Sequence, residues 1–141
     1  VGIDINKNCL NISKINAKRL KVHNRIKLYK SDVDKFTLGK YDLIVSNPPY
    51  IDRHKIKYLE RDVVNYEPTL ALDGGLDGLS EIRKVIKKSS ELIKKNGKFI
   101  LEIGFNQKNN IVNLLKEKGF YINCVSKDLS NNDRCIVSTK I

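Results

Sequence analysis

The chain has 141 residues, 40% of them hydrophobic, enough for one compact domain, and it holds no apolar run near the ~20 residues of a membrane span. Its net charge of +11 is carried mostly by lysines spread along the chain, which favours solubility and attraction to polyanions without marking a binding patch. Cys9, Cys124 and Cys135 form neither an even set nor a C-x-x-C spacing, which argues against a disulfide framework or a zinc site and leaves buried free thiols as the expectation.

The opening "VGIDI", Val1 to Ile5, reads as a short buried strand ending near an acid. Asn8 to Lys21 follows as a helix with Cys9, Ile12, Ile15 and Leu20 at roughly helical spacing. "RIKLYKSD", Arg25 to Asp32, alternates as a strand does, Lys35 to Gly39 turns, and Asp42 to Val45 reads as a buried strand. It stops at "SNPPYID", because proline lacks the N–H that a sheet ladder needs. Asn47 to Tyr50 is then a stiff, solvent-facing loop.

Between Ile51 and Gly75 the pattern loosens into an insert, with a short helix expected near Ile56 to Val64 and then the turn-rich "NYEPTLALDGGLDGL". Asp77 is placed to cap a long helix running through Lys95, closed by Gly97. "KFILEIG" is a buried strand, Gln107 to Lys118 a helix ended by Gly119, and Tyr121 to Val125 with Arg134 to Thr139 an antiparallel hairpin around "SKDLSNND". Strands alternating with helices imply a mostly parallel sheet covered on both faces, a fold that binds ligands at the C-terminal strand ends.

Those ends carry Asp4, Asp32 and Asn47. Asp4 suits the ribose hydroxyls of a nucleoside and Asp32 an exocyclic amine on its base. Each acid also has a local use, Asp4 as a helix cap and Asp32 as a turn residue.

Asn-Pro-Pro-Tyr directly after an apolar strand suits a planar nitrogen with a poor lone pair. The Asn47 side-chain oxygen and the Pro48 carbonyl each accept one N–H, holding the lone pair toward an incoming carbon as charge develops. Pro48 and Pro49 fix the backbone, and Tyr50 offers a stacking face and a hydroxyl. S-adenosylmethionine is the expected methyl donor, since its sulfonium makes transfer largely a matter of positioning. No metal is needed, and His23 and His54 read as surface residues.

With "SNPPYI", "YEPTLALDGGLDGL", "LEIGFNQ" and "KDLSNNDR" in order across essentially the whole chain, the sequence resembles the PrmC/HemK family, which methylates the glutamine N5 of peptide chain release factors. The resemblance implies a Rossmann-like class I methyltransferase fold of strand order 3-2-1-4-5-7-6. It implies S-adenosylmethionine contacts at Asp4, Asp32, Val33 and Asn47, a substrate amide held by Asn47, Pro48, Pro49 and Tyr50, and Asn47 as the catalytic group. Val33 stands where relatives often carry a bulkier or aromatic residue, and Ser130 where a glycine is frequent.

The family's first strand, its D-x-G-x-G loop and a helical docking domain would precede Val1. Residues 1–141 are therefore expected to be one partial catalytic domain, the C-terminal part of a longer protein or a truncated reading frame, with a vacancy beside "VGIDI" and weak cofactor binding. A class I release factor carrying a Gly-Gly-Gln loop is the implied partner, for a monomeric enzyme in the cytoplasm. That location also follows from the absence of a basic-then-apolar order in "VGIDINKNCL". The alternatives are methylation of an exocyclic amine in DNA or RNA, which the charge would suit, and a catalytically silent fragment.

Overall fold

A computed structural model describes residues 1–59 and 68–141. The chain divides into two units, residues 1–37 and 38–141.

In the first unit, strand β1 (Gly2–Asp4) leads into helix α1 (Lys7–Arg19) and then strand β2 (Leu28–Lys30). β1 and β2 run parallel, with Gly2 opposite Leu28 and Asp4 opposite Lys30. Asn6 caps α1 by accepting the Asn8 N–H, which satisfies one of the donors that a helix start leaves orphaned. Leu10 and Ala17, seven residues apart and so on one stripe, are the residues of α1 that bury. The expected apolar stripe is corrected here: Cys9, Ile12, Ile15 and Leu20 are exposed. Ile12 lies about 200° around the helix from Leu10, and two three-residue strands are too narrow to cover both sides.

The second unit holds a four-stranded sheet of order β3-β4-β6-β5. Its strands are β3 (Tyr41–Ser46), β4 (Ile93–Glu102), β5 (Phe120–Lys127) and β6 (Asp133–Lys140). β3 and β4 are parallel, while β6 is antiparallel to both β4 and β5, so the expected C-terminal hairpin forms with β5 at the edge. Helices α2 (Thr69–Leu72), α3 (Ser80–Leu92) and α4 (Lys108–Glu117) complete the unit. Ile82, Val85 and Ile86 of α3 and Ile111 and Leu115 of α4 bury together with Phe99, Leu101, Ile103, Phe120 and Ile136. Gly119 closes α4 at φ 73°, a conformation that side-chain-bearing residues resist.

Three expectations need correction. α3 ends at Leu92 rather than Lys95, because Ile93 is already extended and its N–H caps the Ser89 carbonyl. Asn96, not Gly97, takes the left-handed backbone, at φ 64°, and Gly97 lies within β4. The second concerns burial of β3. Leu43 and Val45 pair with Lys98 and Ile100, on the face opposite Phe99 and Leu101, and remain 53% and 65% exposed. That sheet face is not covered among the described residues.

The thiols are the third correction, since Cys9 and Cys124 are exposed and Cys135 is half-buried. Cys9 lies on the open side of α1, and Cys124 faces outward on the edge strand. Of the helix expected near Ile56 to Val64, Arg53–Tyr58 forms a short 3-10 stretch and the remainder falls outside the described residues, as do Tyr66 and Glu67. No described helix is long and apolar enough to cross a membrane.

Among the described residues β1 pairs with β2 and β3 with β4, and the two groups form separate sheets. The order within each matches the 3-2 and 4-5-7-6 portions of the expected strand order.

Candidate methyl-transfer site

In the first unit, Asp4 and the segment after β2 meet at the C-terminal end of the sheet, where the Ser31 N–H donates to the Asp4 carbonyl at 3.1 Å. The Asp4 Oδ1 accepts the Asn6 N–H at 2.6 Å, and the Asp32 Oδ1 accepts the Asp34 N–H at 3.1 Å. Asp32 thus has its local use as the cap of a short turn, whereas the cap of α1 is Asn6 rather than Asp4, which instead accepts from the capping residue; each acid commits one oxygen. The Oδ2 of each acid has no hydrogen-bond partner among the described residues, so each keeps an acceptor for a ligand. Half-buried Val33 begins the single 3-10 turn that Asp32 caps. Two carboxylates and an apolar side chain at adjoining strand ends fit the ribose and base of a nucleoside.

The second unit places Asn47 immediately after β3, beside the end of β4, since Ser46 pairs with Leu101. Asn47 is exposed, Pro48 is buried, and Pro49 and Tyr50 are half-buried. The loop is thus solvent-facing at Asn47 and seated at Pro48, a partial correction of the expected open loop. No described residue hydrogen-bonds the Asn47 side chain or donates to the Pro48 carbonyl.

Tyr50 is held at both ends. Its hydroxyl donates to the Glu102 Oε1 at 3.2 Å, and its carbonyl accepts from the Gln107 Nε2 at 2.9 Å. Burial, followed by the nearby Glu102 carboxylate, raises the phenol above its ordinary range, so the hydroxyl stays protonated as the donor. Beyond Tyr50 the chain pairs with the Asp73–Gly75 turn: Ile51 N–H donates to Leu72, Gly74 N–H to Ile51 and Arg53 N–H to Gly75, at 3.1, 2.8 and 2.9 Å. The Arg53 side chain adds an ion pair to Asp73 at 2.8 Å.

The β5–β6 loop is organised by Asp128. Its Oδ1 accepts the Ser130 and Asn132 N–H groups, both at 2.9 Å, and its Oδ2 meets the Arg134 Nε at 2.9 Å. The Asn132 hydrogen bond and then the Arg134 guanidinium hold this carboxyl down at about 2. Among the described residues no group of three or more His, Cys, Asp or Glu side chains gathers as metal ligands would.

A family model described as UPF0020, RMKL-like, methyltransferase domain, matches residues 1–61. The release factor glutamine methyltransferase of Clostridium acetobutylicum is 35% identical over 140 residues, covering 97% of this chain and 49% of the relative. By sequence, the chain is similar over nearly its whole length to release factor glutamine methyltransferases. It spans about half the length of the curated relatives it matches.

Solved structures share the fold at lower sequence identity. A ribosomal protein L11 methylase from Lactobacillus delbrueckii subsp. bulgaricus superposes with TM-score 0.68 at 18% identity, covering 99% of this chain and 56% of the other. SMU.1697c of Streptococcus mutans, a methyltransferase solved with SAH, gives TM-score 0.66 at 13% identity, covering 99% and 74%. The fold is that of the class I S-adenosylmethionine-dependent methyltransferases.

Sequence reasoning missed the groups that brace the loop. Gln107, Glu102 and Gly78 carry no signature of their own in the pattern of apolar positions. All three stand inside segments that also carry the family resemblance.

Proposed function

We propose that this chain supplies the substrate-amide site and the nucleoside acids of an S-adenosylmethionine-dependent protein-glutamine N5-methyltransferase acting on class I release factors. The observation that carries it is the pair of uncommitted acceptors, the Asn47 Oδ1 and the Pro48 carbonyl, on a loop braced beside the end of β4. A primary amide presents two N–H donors, and two acceptors match them. Relatives named release factor glutamine methyltransferase support the choice of an amide in a release factor.

S-adenosylmethionine, when bound, supplies an electrophilic methyl group. Asp4 and Asp32 would accept from its ribose and base beside Val33, and Asn47 would hold the substrate amide. On gaining the methyl group, as the carbon–sulfur bond of the donor breaks, the amide nitrogen would lose conjugation with its carbonyl. The two acceptors stabilise the N–H groups as positive charge builds, and one proton then passes to water. Orientation rather than acid–base strength supplies the rate. Within this proposal residues 1–141 serve one partial catalytic domain.

Methyl transfer from labelled cofactor to a purified release factor, to the same factor with its Gly-Gly-Gln glutamine replaced, and to nucleic acid tests the reading. Labelling of the intact factor alone supports it. Equal labelling of the glutamine-less factor, or labelling of nucleic acid, overturns it in favour of an exocyclic amine substrate.

A further inference from the structure

We infer that Gln107 is a positioning residue for methyl transfer, acting through the main chain of the substrate loop; the kinetic part of the inference rests on the function proposed above. Gln107 stands just ahead of α4 and is buried. Its backbone is fixed in both directions. The Gln107 N–H donates to the Gly104 carbonyl at 3.0 Å, and the Gln107 carbonyl accepts the Ile111 N–H at 3.0 Å. The side chain that emerges from this anchor meets only main-chain groups in its hydrogen bonds.

Its Oε1 accepts the Gly104 N–H at 2.9 Å, while its Nε2 donates to the Tyr50 carbonyl at 2.9 Å and the Gly78 carbonyl at 3.0 Å. One amide therefore ties three loops that follow β3, precede α3 and follow β4. No other neutral side chain of this size offers one acceptor and two donors in one plane. Glutamate keeps the acceptor and loses the donors; leucine loses all three.

The clasp matters because of where it lands. Pro48 and Pro49 have no N–H, so the loop has little of its own with which to bind the framework. The Tyr50 carbonyl lies two peptide units from the Pro48 carbonyl, and Gln107 makes the side-chain bond that fixes it. Gly78 is shaped to admit this clasp. It sits at φ +70°, and a Cβ there would lie 2.6 Å from the Tyr50 carbonyl oxygen and 2.8 Å from the Gln107 Nε2. A packing role alone would be served by an apolar side chain, whereas both donors here converge on carbonyls that set the loop.

The experiment compares the wild-type chain with Gln107→Leu, Gln107→Glu and Gly78→Ala. Ile111→Val, a buried position in α4 whose backbone bond to Gln107 is kept, serves as a stability control. Amide hydrogen exchange is read by NMR at Ile51 and Gly74, whose N–H groups report the pairing beyond Tyr50. Methyl transfer to a Gly-Gly-Gln substrate is read as kcat and KM, and cofactor Kd is measured separately.

Gln107→Leu is expected to speed exchange at Ile51 and Gly74 at least tenfold, lower kcat about tenfold or more, and leave cofactor Kd within twofold. Gly78→Ala should do the same with Gln107 intact. Ile111→Val should lower the unfolding midpoint while moving neither exchange at the loop nor kcat. If Gln107→Leu does not fold, Gln107→Glu is read in its place. Exchange at Ile51 and Gly74 no faster in the clasp variants than in Ile111→Val overturns the inference. So does loop loosening with kcat unchanged. A wild-type chain that loosens as expected on mutation but labels no release factor overturns the proposed function instead, and leaves the exchange result to decide the clasp.

Discussion

Replacing Asn47 by alanine separates catalysis from stability more cleanly than any other change in this chain. Asn47 is exposed and hydrogen-bonds no described residue, so truncation orphans no buried group and stability should move by no more than about 0.5 kcal/mol. In the proposed reaction, however, the lost oxygen is one of two acceptors for the substrate amide as charge develops. Deleting one such preorganised group costs ~10²- to 10³-fold in turnover, or about 2.7 to 4 kcal/mol of transition-state stabilisation. Cofactor affinity should fall less, because Asp4 and Asp32 belong to the other unit. The assay is single-turnover methyl transfer from labelled cofactor to release factor, alongside thermal unfolding and calorimetric cofactor binding. An Asn47→Ala protein with normal turnover would refute the reasoning, as would one whose lost activity is matched by a large fall in unfolding midpoint.

Tyr50→Phe should keep the ring and lose the bond to Glu102, at about 1 kcal/mol, whereas Tyr50→Ala should also raise the substrate KM several-fold; equal KM values for the two would count against a stacking role. The Asp128 carboxyl is depressed in the folded chain, so its contribution is present above the ordinary carboxylate value near 4 and is lost as pH falls through about 2. NMR titration of the Ser130 and Asn132 amides should accordingly show a midpoint near 2 rather than near 4.

Much of the fold was legible because its signals are local. The strand before Asn47 ends where two prolines remove ladder donors, and the α4 stop at Gly119 needs a positive φ. What failed depended on partners distant in sequence. Lys94 and Lys95 continue a helical pattern well, yet Ile93 pairs with Tyr41 of β3, and strand pairing wins over propensity. The apolar run of β3 suggested burial on both faces, while the cover for Leu43 and Val45 is a tertiary matter that no run of residues encodes. At the site, Asn47 and Tyr50 could be named from their chemistry. The clasp could not, because Gln107 reaches Tyr50 across 57 positions and Gly78 across 29.

Among the described residues β3 pairs on one side only, which bears on how the chain behaves in concentrated solution. An unpaired strand edge flanked by exposed Leu43 and Val45 is a template for a strand from another molecule. The opposing force is the mutual repulsion of molecules that each carry +11. Salt weakens that repulsion, its range shrinking from about 10 Å at 0.1 M to about 3 Å at 1 M, and leaves the edge as adhesive as before. Light scattering should therefore rise with ionic strength, and the chain should keep best in dilute buffer.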